Sequence, residues 1–120
     1  MPDIMKLPSN TKKQSPISTF EQTCLTAVML CREDAYGMKV HRKVEELAER
    51  SIQLPMVYLA LDRLEERGYV ESWMGDPTPE RGGRGKRYFK VLPAGELAMT
   101  EVAKAAKRIL KPWGLLKWLR

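Results

Sequence analysis

Hydrophobic residues recur at helical spacing in four stretches of the chain and at strand spacing in two. The first helix is predicted to begin at Ser18 or Thr19, because "STFEQ" offers capping boxes in two registers, Ser18 with Glu21 and Thr19 with Gln22. Apolar residues cover more than half of its circumference, which predicts burial by its own domain and leaves a face for a second subunit. The apolar positions are Phe20, Cys24, Leu25, Ala27, Val28, Met29, Leu30 and Cys31.

Two further helices follow, separated only by "SIQL". The second is predicted to start after "REDA" with Asp34 as its N-cap and to end near Arg50. The third is predicted to start at Pro55, which suits a first helical turn, and to stop at Gly68. Two helices joined by so short a turn are typical of a helix-turn-helix. The predicted buried stripes are Tyr36, Val40, Val44 and Leu47 in helix two, and Val57, Tyr58, Leu61 and Leu64 in helix three.

The segments "YVESWM" (69–74) and "KRYFKVL" (86–92) are rich in β-branched and aromatic residues. Eleven residues lie between them, including four glycines and two prolines, so the pair predicts a β-hairpin with a long tip. A last helix is predicted from Pro93 to Leu110, with Pro112 breaking it. The predicted fold class is therefore mainly α with a small β-hairpin, a winged helix-turn-helix with one helix added at each end.

The chain has 120 residues, enough for one domain with one modest core. We expect a flexible arm over residues 1–16, a winged helix-turn-helix over 17–92, and a C-terminal dimerisation helix and tail over 93–120. No apolar run approaches the roughly 20 residues of a membrane span and the N-terminus is polar, so a cytoplasmic protein without stable membrane insertion is predicted. Cys24 and Cys31 are best interpreted as small buried apolar residues.

The net charge of +6 predicts attraction to polyanions, and the positive charge is concentrated in the predicted wing and the C-terminus. The wing segment "ERGGRGKRYFKV" places five basic residues beside three glycines, with no acid between Arg81 and Val91. Such a flexible basic tip would lay guanidinium groups along a phosphate backbone or in the minor groove of double-stranded DNA.

Three segments together resemble the PadR family of winged-helix bacterial transcriptional regulators: "YGMKVHRKVEEL", "VYLALDRLEERGYVESW" and "RGGRGKRYFKVLPAG". The family pattern is a Tyr-Gly near the start of helix two, here Tyr36-Gly37. It continues with a recognition helix of the form Leu-Tyr-x-x-Leu-x-x-Leu and a basic wing ending in Tyr-Tyr or Tyr-Phe. The match covers roughly residues 17–108.

The resemblance implies a homodimeric, sequence-specific DNA-binding repressor whose first and last helices form the dimer. A two-fold dimer predicts an inverted-repeat operator. Two segments depart from the family pattern. Gln53-Leu54-Pro55-Met56 replaces the small polar start of the recognition helix, and Leu92-Pro93 replaces Leu-Thr at the start of the last helix. Gln53 could still read a base edge with its amide.

The candidate DNA contacts come from helix two, helix three and the wing. Tyr58 is equally compatible with a DNA contact and a core position. His41, the single histidine, is expected at a solvated helix position, where it supports neither acid–base catalysis nor a zinc site. The predicted DNA contacts are Lys39, Arg42, Gln53, Met56, Tyr58, Arg63, Arg81, Arg84, Lys86 and Arg87.

Trp113 and Trp118 allow three interpretations: dimer packing, a flat wall for a small hydrophobic effector, or a segment lying on a membrane surface or partner protein. No paired acids, nucleophile with a base, metal-ligand set or phosphate loop is found in the sequence, which predicts a protein that is not an enzyme and needs no cofactor or metal. The alternative function is a winged-helix module for protein interaction or a membrane surface, with only residual DNA affinity.

Overall fold

The computed structural model describes residues 16–76 and 85–114. The described residues fold in the predicted order of helix, helix-turn-helix, hairpin and helix, which confirms the predicted fold class. The role of the terminal helices in dimerisation stays a prediction. The elements are α1 (Thr19–Cys31), a 3-10 turn (Arg32–Asp34), α2 (Gly37–Ala48), α3 (Leu54–Glu66), β1 (Val70–Met74), β2 (Arg87–Val91), α4 (Pro93–Leu110) and a second 3-10 turn (Lys111–Trp113).

Helix α1 begins with the capping box of Ser18 and Glu21, so the first of the two predicted registers is the one used. The Ser18 hydroxyl accepts a hydrogen bond from the Glu21 amide at 3.1 Å, and the Glu21 carboxylate accepts one from the Ser18 amide at 3.0 Å. Cys24 and Cys31 are both buried in the core, as predicted. Burial, with a smaller contribution from the charge of Glu21, raises the pKa of Cys24 to about 12, so this thiol is protonated at neutral pH.

Helix α2 starts at Gly37 with Tyr36 as N-cap, so the prediction of Asp34 as N-cap is wrong. The reason is that Asp34 ends the 3-10 turn, while Tyr36 is extended and, with Ala35, is held by the hairpin. Tyr36 forms a bridge with Tyr88, and the Ala35 carbonyl accepts a hydrogen bond from the Phe89 amide at 2.9 Å. The helix cannot begin before these contacts end.

The C-terminal end of α2 also differs from the prediction. The helix ends at Ala48, because Glu49 adopts a left-handed conformation with φ 57°. Val40 and Val44 are buried as predicted, but Leu47 is 42% exposed, so its assignment to the buried stripe is wrong. The core lies against the start and middle of α2 and not against its last turn.

The turn between α2 and α3 is fastened to α2 by two side chains. His41 Nε2 donates to the Ile52 carbonyl at 2.6 Å, and the Glu45 carboxylate accepts from the Ile52 amide at 3.0 Å. The predicted solvated position of His41 is therefore wrong, since its side chain is only 15% exposed. No local sequence pattern could show that His41 would meet a carbonyl eleven residues away.

Helix α3 begins one residue before the predicted Pro55, which occupies an early position that needs no amide donor. Gly68, at φ 81°, follows the helix in the left-handed conformation that favours glycine. The buried face of the helix is Val57, Ala60, Leu61 and Leu64. These four residues pack into a core shared with α1, α2, Val70 of β1 and Phe89 of β2.

Strands β1 and β2 pair antiparallel from Val70 opposite Val91 to Met74 opposite Arg87, which confirms the predicted hairpin. The pairing continues towards the tip, where the Gly75 amide donates to the Lys86 carbonyl at 2.7 Å. The rest of the predicted tip, residues 77–84, lies outside the described residues.

Helix α4 has the predicted bounds, and a 3-10 turn containing Pro112 follows it. Of its residues only Gly95 is buried, while Leu97 and Ile109 are 63% and 67% exposed. None of the helices in the described part of the chain has the length and hydropathy to span a bilayer. Residues 1–15 of the predicted arm and residues 115–120 of the tail lie outside the described residues.

Tyr58 packs directly against Gly37, which joins the starts of α2 and α3. A Cβ atom added to Gly37 would overlap the Tyr58 hydroxyl and lie 2.5 Å from Cζ of the ring. The ring of Tyr58 also meets that of Phe89, with centroids 6.2 Å apart. Tyr58 is therefore half-buried at the edge of the core, and glycine at position 37 is what makes room for it.

We expect Gly37→Ala to lower the free energy of unfolding by about 1–3 kcal/mol, because the added methyl overpacks this contact. If Gly37 did not contact Tyr58, replacing a helical glycine by alanine would raise the free energy of unfolding by about 0.5–1 kcal/mol. The sign of the measured change therefore shows whether the contact is present. Urea unfolding measures the difference, and Met38→Ala, at the exposed neighbouring position, is the control. Equal or greater stability of Gly37→Ala would contradict the close approach.

Candidate nucleic-acid interface

The exposed face of α3 carries three of the predicted DNA contacts. Gln53, Met56 and Arg63 are all exposed, and Met56 is 53% exposed. Gln53 is the N-cap residue, but its side chain does not cap a helix amide, so its amide group is not engaged with the helix start. The first turns of a recognition helix are those that reach base edges in the major groove.

Leu59, which the sequence analysis did not select, lies on the same exposed face. It follows Met56 by three residues and is 51% exposed. The spacing alone could have identified it, because Leu59 falls outside the stripe of buried positions in α3. The face therefore combines one amide, two large apolar side chains and one guanidinium group.

The charge of α3 itself is negative, with three acids and one base between Leu54 and Glu66. Asp62 and Glu66 are exposed on the second half of the helix. Positive charge must therefore come from neighbouring elements if the helix is to approach a phosphate backbone. Arg42 on α2 is exposed, and among the described residues it forms no ion pair.

Three other predicted contacts are already engaged within the protein. Lys39 donates to the Asp34 carboxylate at 2.6 Å, and this hydrogen bond lowers the pKa of Asp34 and raises that of Lys39. Lys86 lies over the ring of Tyr36, with its Nζ 3.8 Å from the centroid. Tyr58, the third, fills the space beside Gly37. Of its two predicted roles, DNA contact and core position, this contact accounts for the second.

Arg87 joins the hairpin to α3 through a polar cluster that we call the wing anchor: Asp62, Glu65, Ser72 and Arg87. Arg87 Nη2 donates to both Asp62 and Glu65 at 2.9 Å, and its Nε donates to the Ser72 hydroxyl at 3.2 Å. Glu65 also accepts from the Ser72 amide at 3.2 Å and from its hydroxyl at 2.9 Å. One carboxylate of α3 thus holds a residue of each strand.

Aromatic side chains support the same hairpin from the other side. Trp73 stacks on Tyr88 with centroids 6.1 Å apart, and Tyr88 meets Tyr36 edge-on at 6.0 Å. The hairpin is therefore fixed to α3 and to the N-cap of α2 in the half of its strands nearer the tip. Neither the wing anchor nor this stack was anticipated, because each depends on residues that are distant in the sequence.

The remaining predicted site residues are not among those just described. Arg81 and Arg84 of the wing tip and Trp118 of the tail lie outside the described residues. Trp113 is 75% exposed in the turn after α4. Within the described residues, no group of three His, Cys, Asp or Glu side chains is placed to hold a metal ion.

Two shallow apolar grooves run beside α4. One, of about 350 Å³, lies between α4 and α1, and Leu25, Met29 and Met99 contribute to it. The other, of about 690 Å³, lies on the opposite side, where Tyr69, Val102 and Ile109 line it. Met29 is 56% exposed, so α1 and α4 together present apolar surface that the described fold leaves uncovered.

We expect a double-mutant cycle on Arg87 and Glu65 to give a coupling energy of about 1 kcal/mol in urea unfolding, because their contact is hydrogen-bonded and only partly exposed. The exposed pair Lys104 and Glu101, at 3.8 Å, is the control and should show a coupling near zero. Equal coupling in the two pairs would show that the wing anchor is an ordinary surface contact.

The sequence matches the family described as "Transcriptional regulator PadR-like family" over residues 27–101. That region runs from α1 through the first half of α4 and includes the whole candidate interface. No curated protein matches the sequence significantly.

Solved structures of transcription regulators share the fold. A PadR-like transcription factor from Bacteroides fragilis is 19% identical with a TM-score of 0.62, covering 91% of this chain and 96% of its own. A PadR family transcriptional regulator from Eggerthella lenta is 18% identical with a TM-score of 0.61, covering 98% and 96%. A PadR family transcription regulator from Clostridium difficile is 24% identical with a TM-score of 0.52, covering 82% and 97%.

Proposed function

Because this chain belongs to the PadR-like family of transcriptional regulators, which are not enzymes, we propose that it binds double-stranded DNA sequence-specifically as a homodimer and represses transcription. The observation that carries the proposal is the exposed face of α3 beside a hairpin held to it by the wing anchor. A recognition helix and a wing fixed at one angle can follow the DNA surface with little loss of conformational entropy on binding.

The proposed contacts divide into base-reading and phosphate-binding residues. Gln53 and Met56 face the bases from the first turns of α3. Arg42 and Arg63 bind phosphates at the edges of the groove. Lys39, Tyr58, Lys86 and Arg87 act chiefly by holding α2, α3 and the hairpin together, since each has a partner inside the protein. Arg81 and Arg84 of the wing tip complete the set by contacting the backbone or the minor groove.

Dimerisation is proposed to occur through α1 and α4. The support is the apolar surface of Met29, Leu97 and Ile109, which are all more than half exposed. A second copy of α4 would cover the two grooves beside this helix, and a two-fold axis there would present two recognition helices to an inverted repeat. This proposal keeps residues 17–92 as the DNA-binding domain and 93–120 as the dimerisation helix and tail.

A small hydrophobic effector is a further part of the proposal. The groove between α1 and α4 is lined mostly by apolar side chains, and Trp113 lies exposed at the end of the same helix. A planar apolar molecule bound there would change how α4 sits on the domain and hence the spacing of the two recognition helices. A regulator of this kind acts where the chromosome is, so we also propose a cytoplasmic location.

We expect selection of the purified protein against random duplex DNA, at two salt concentrations, to recover an inverted repeat whose preference survives the higher salt. Two half-sites follow from the dimer, and persistence in salt follows from base contacts, which depend less on counterion release than phosphate contacts do. A single half-site would contradict the dimer.

The Arg81→Ala/Arg84→Ala double variant should weaken binding to every sequence about equally and reduce the salt dependence by about one ion for each arginine replaced. Lys104→Ala/Lys107→Ala, two exposed changes on α4, is the matched control for the loss of two charges. Unselective binding that vanishes in high salt would contradict the proposal and favour the alternative of a protein-interaction or membrane-surface module.

A further inference from the structure

Two large apolar side chains stand on the part of α3 that would meet the bases. Met56 and Leu59 are 53% and 51% exposed, three residues apart, while the opposite face of the helix is already packed. Val57, Leu61 and Leu64 on that opposite face have no exposed surface. The core therefore does not need Met56 or Leu59, and their unfavourable exposure to water calls for a partner surface.

Hydrogen-bonding groups are scarce on the same half of the helix. Pro55 and Met56 supply none from their side chains, and Gln53 supplies one amide. The next polar residue on the face is Asp62, a turn or more further on, which already accepts from Arg87 at 2.9 Å. The acidic residues at the end of the second half of α3 would be repelled by the DNA phosphates. The helix must therefore enter the groove with its apolar first half.

The base edges in the major groove offer one prominent apolar group, the C5-methyl of thymine. We propose that Met56 and Leu59 recognise thymine methyl groups, so that each operator half-site places thymines beneath the first two turns of α3. This inference rests on the proposed function and adds the kind of base that is read. The Gln53 amide suits the same base pairs, because a glutamine pairs with the N6 and N7 edge of adenine.

Deoxyuridine differs from thymidine only by the missing methyl, so it isolates this contact. Each thymine of the selected operator is replaced in turn by deoxyuridine, and the affinity of the full-length protein is measured by fluorescence anisotropy over a series of salt concentrations. Burying a methyl group is worth about a fourfold change in affinity. We expect one or two positions in each half-site to show a loss of about 3–10-fold, with an unchanged dependence on salt.

Variants connect the effect to the two side chains. In Met56→Ala or Leu59→Ala, the penalty for deoxyuridine at the sensitive positions should fall to less than about twofold, because the partner of the methyl has been removed. Met38→Ala is the matched control, since Met38 is an exposed methionine, 43%, on α2 and outside the proposed dimer surface. It should retain the full penalty.

Several results would overturn the inference while leaving the proposed function intact. These are an operator whose deoxyuridine forms all bind as tightly as the parent, a half-site without thymine, and a penalty that persists unchanged in both alanine variants. Absence of any sequence preference in the selection would instead refute the proposed function, and the inference with it.

Discussion

The Glu65 carboxylate is the contact on which the arrangement of this surface depends. It accepts hydrogen bonds from the Ser72 amide and hydroxyl on β1 and from Arg87 on β2, so a single side chain of α3 holds both strands. Charge-assisted hydrogen bonds of this kind are stronger than neutral ones and fix direction as well as distance. The angle between recognition helix and wing is thereby set before any ligand arrives.

The same internal pairing explains the uneven distribution of charge. Within the wing anchor Arg87 offsets one of the two negative charges of Asp62 and Glu65, and Lys39 neutralises Asp34. The bases left for a polyanion lie at the margins of α3, and the centre of its exposed face is apolar. In the proposed function, a protein with a net charge of +6 is attracted to DNA by its periphery, and its uncharged side chains discriminate between sequences.

The sequence predicted the elements well, because capping, periodicity and the hairpin composition are local signals. The bounds of α4 and the hairpin were correct, and the α1 cap is one of the two registers that the sequence offered. The predictions for Asp34 and His41 were wrong because residues distant in the sequence decide the structure there. Tyr88 forms a bridge with Tyr36 ahead of α2, and the Ile52 carbonyl accepts a hydrogen bond from His41. Composition also drew attention to the wing charges, and Leu59 was missed although its spacing places it outside the buried stripe of α3.

The central claim is that the exposed face of α3 meets the DNA. The most direct measurement is the NMR spectrum of the protein with ¹³C-labelled methionine methyl groups, recorded as the selected operator is added. The account predicts a large shift for Met56 and little change for Met29 and Met99, which line the groove between α1 and α4. Shifts of Met29 and Met99 with an unperturbed Met56 would contradict it.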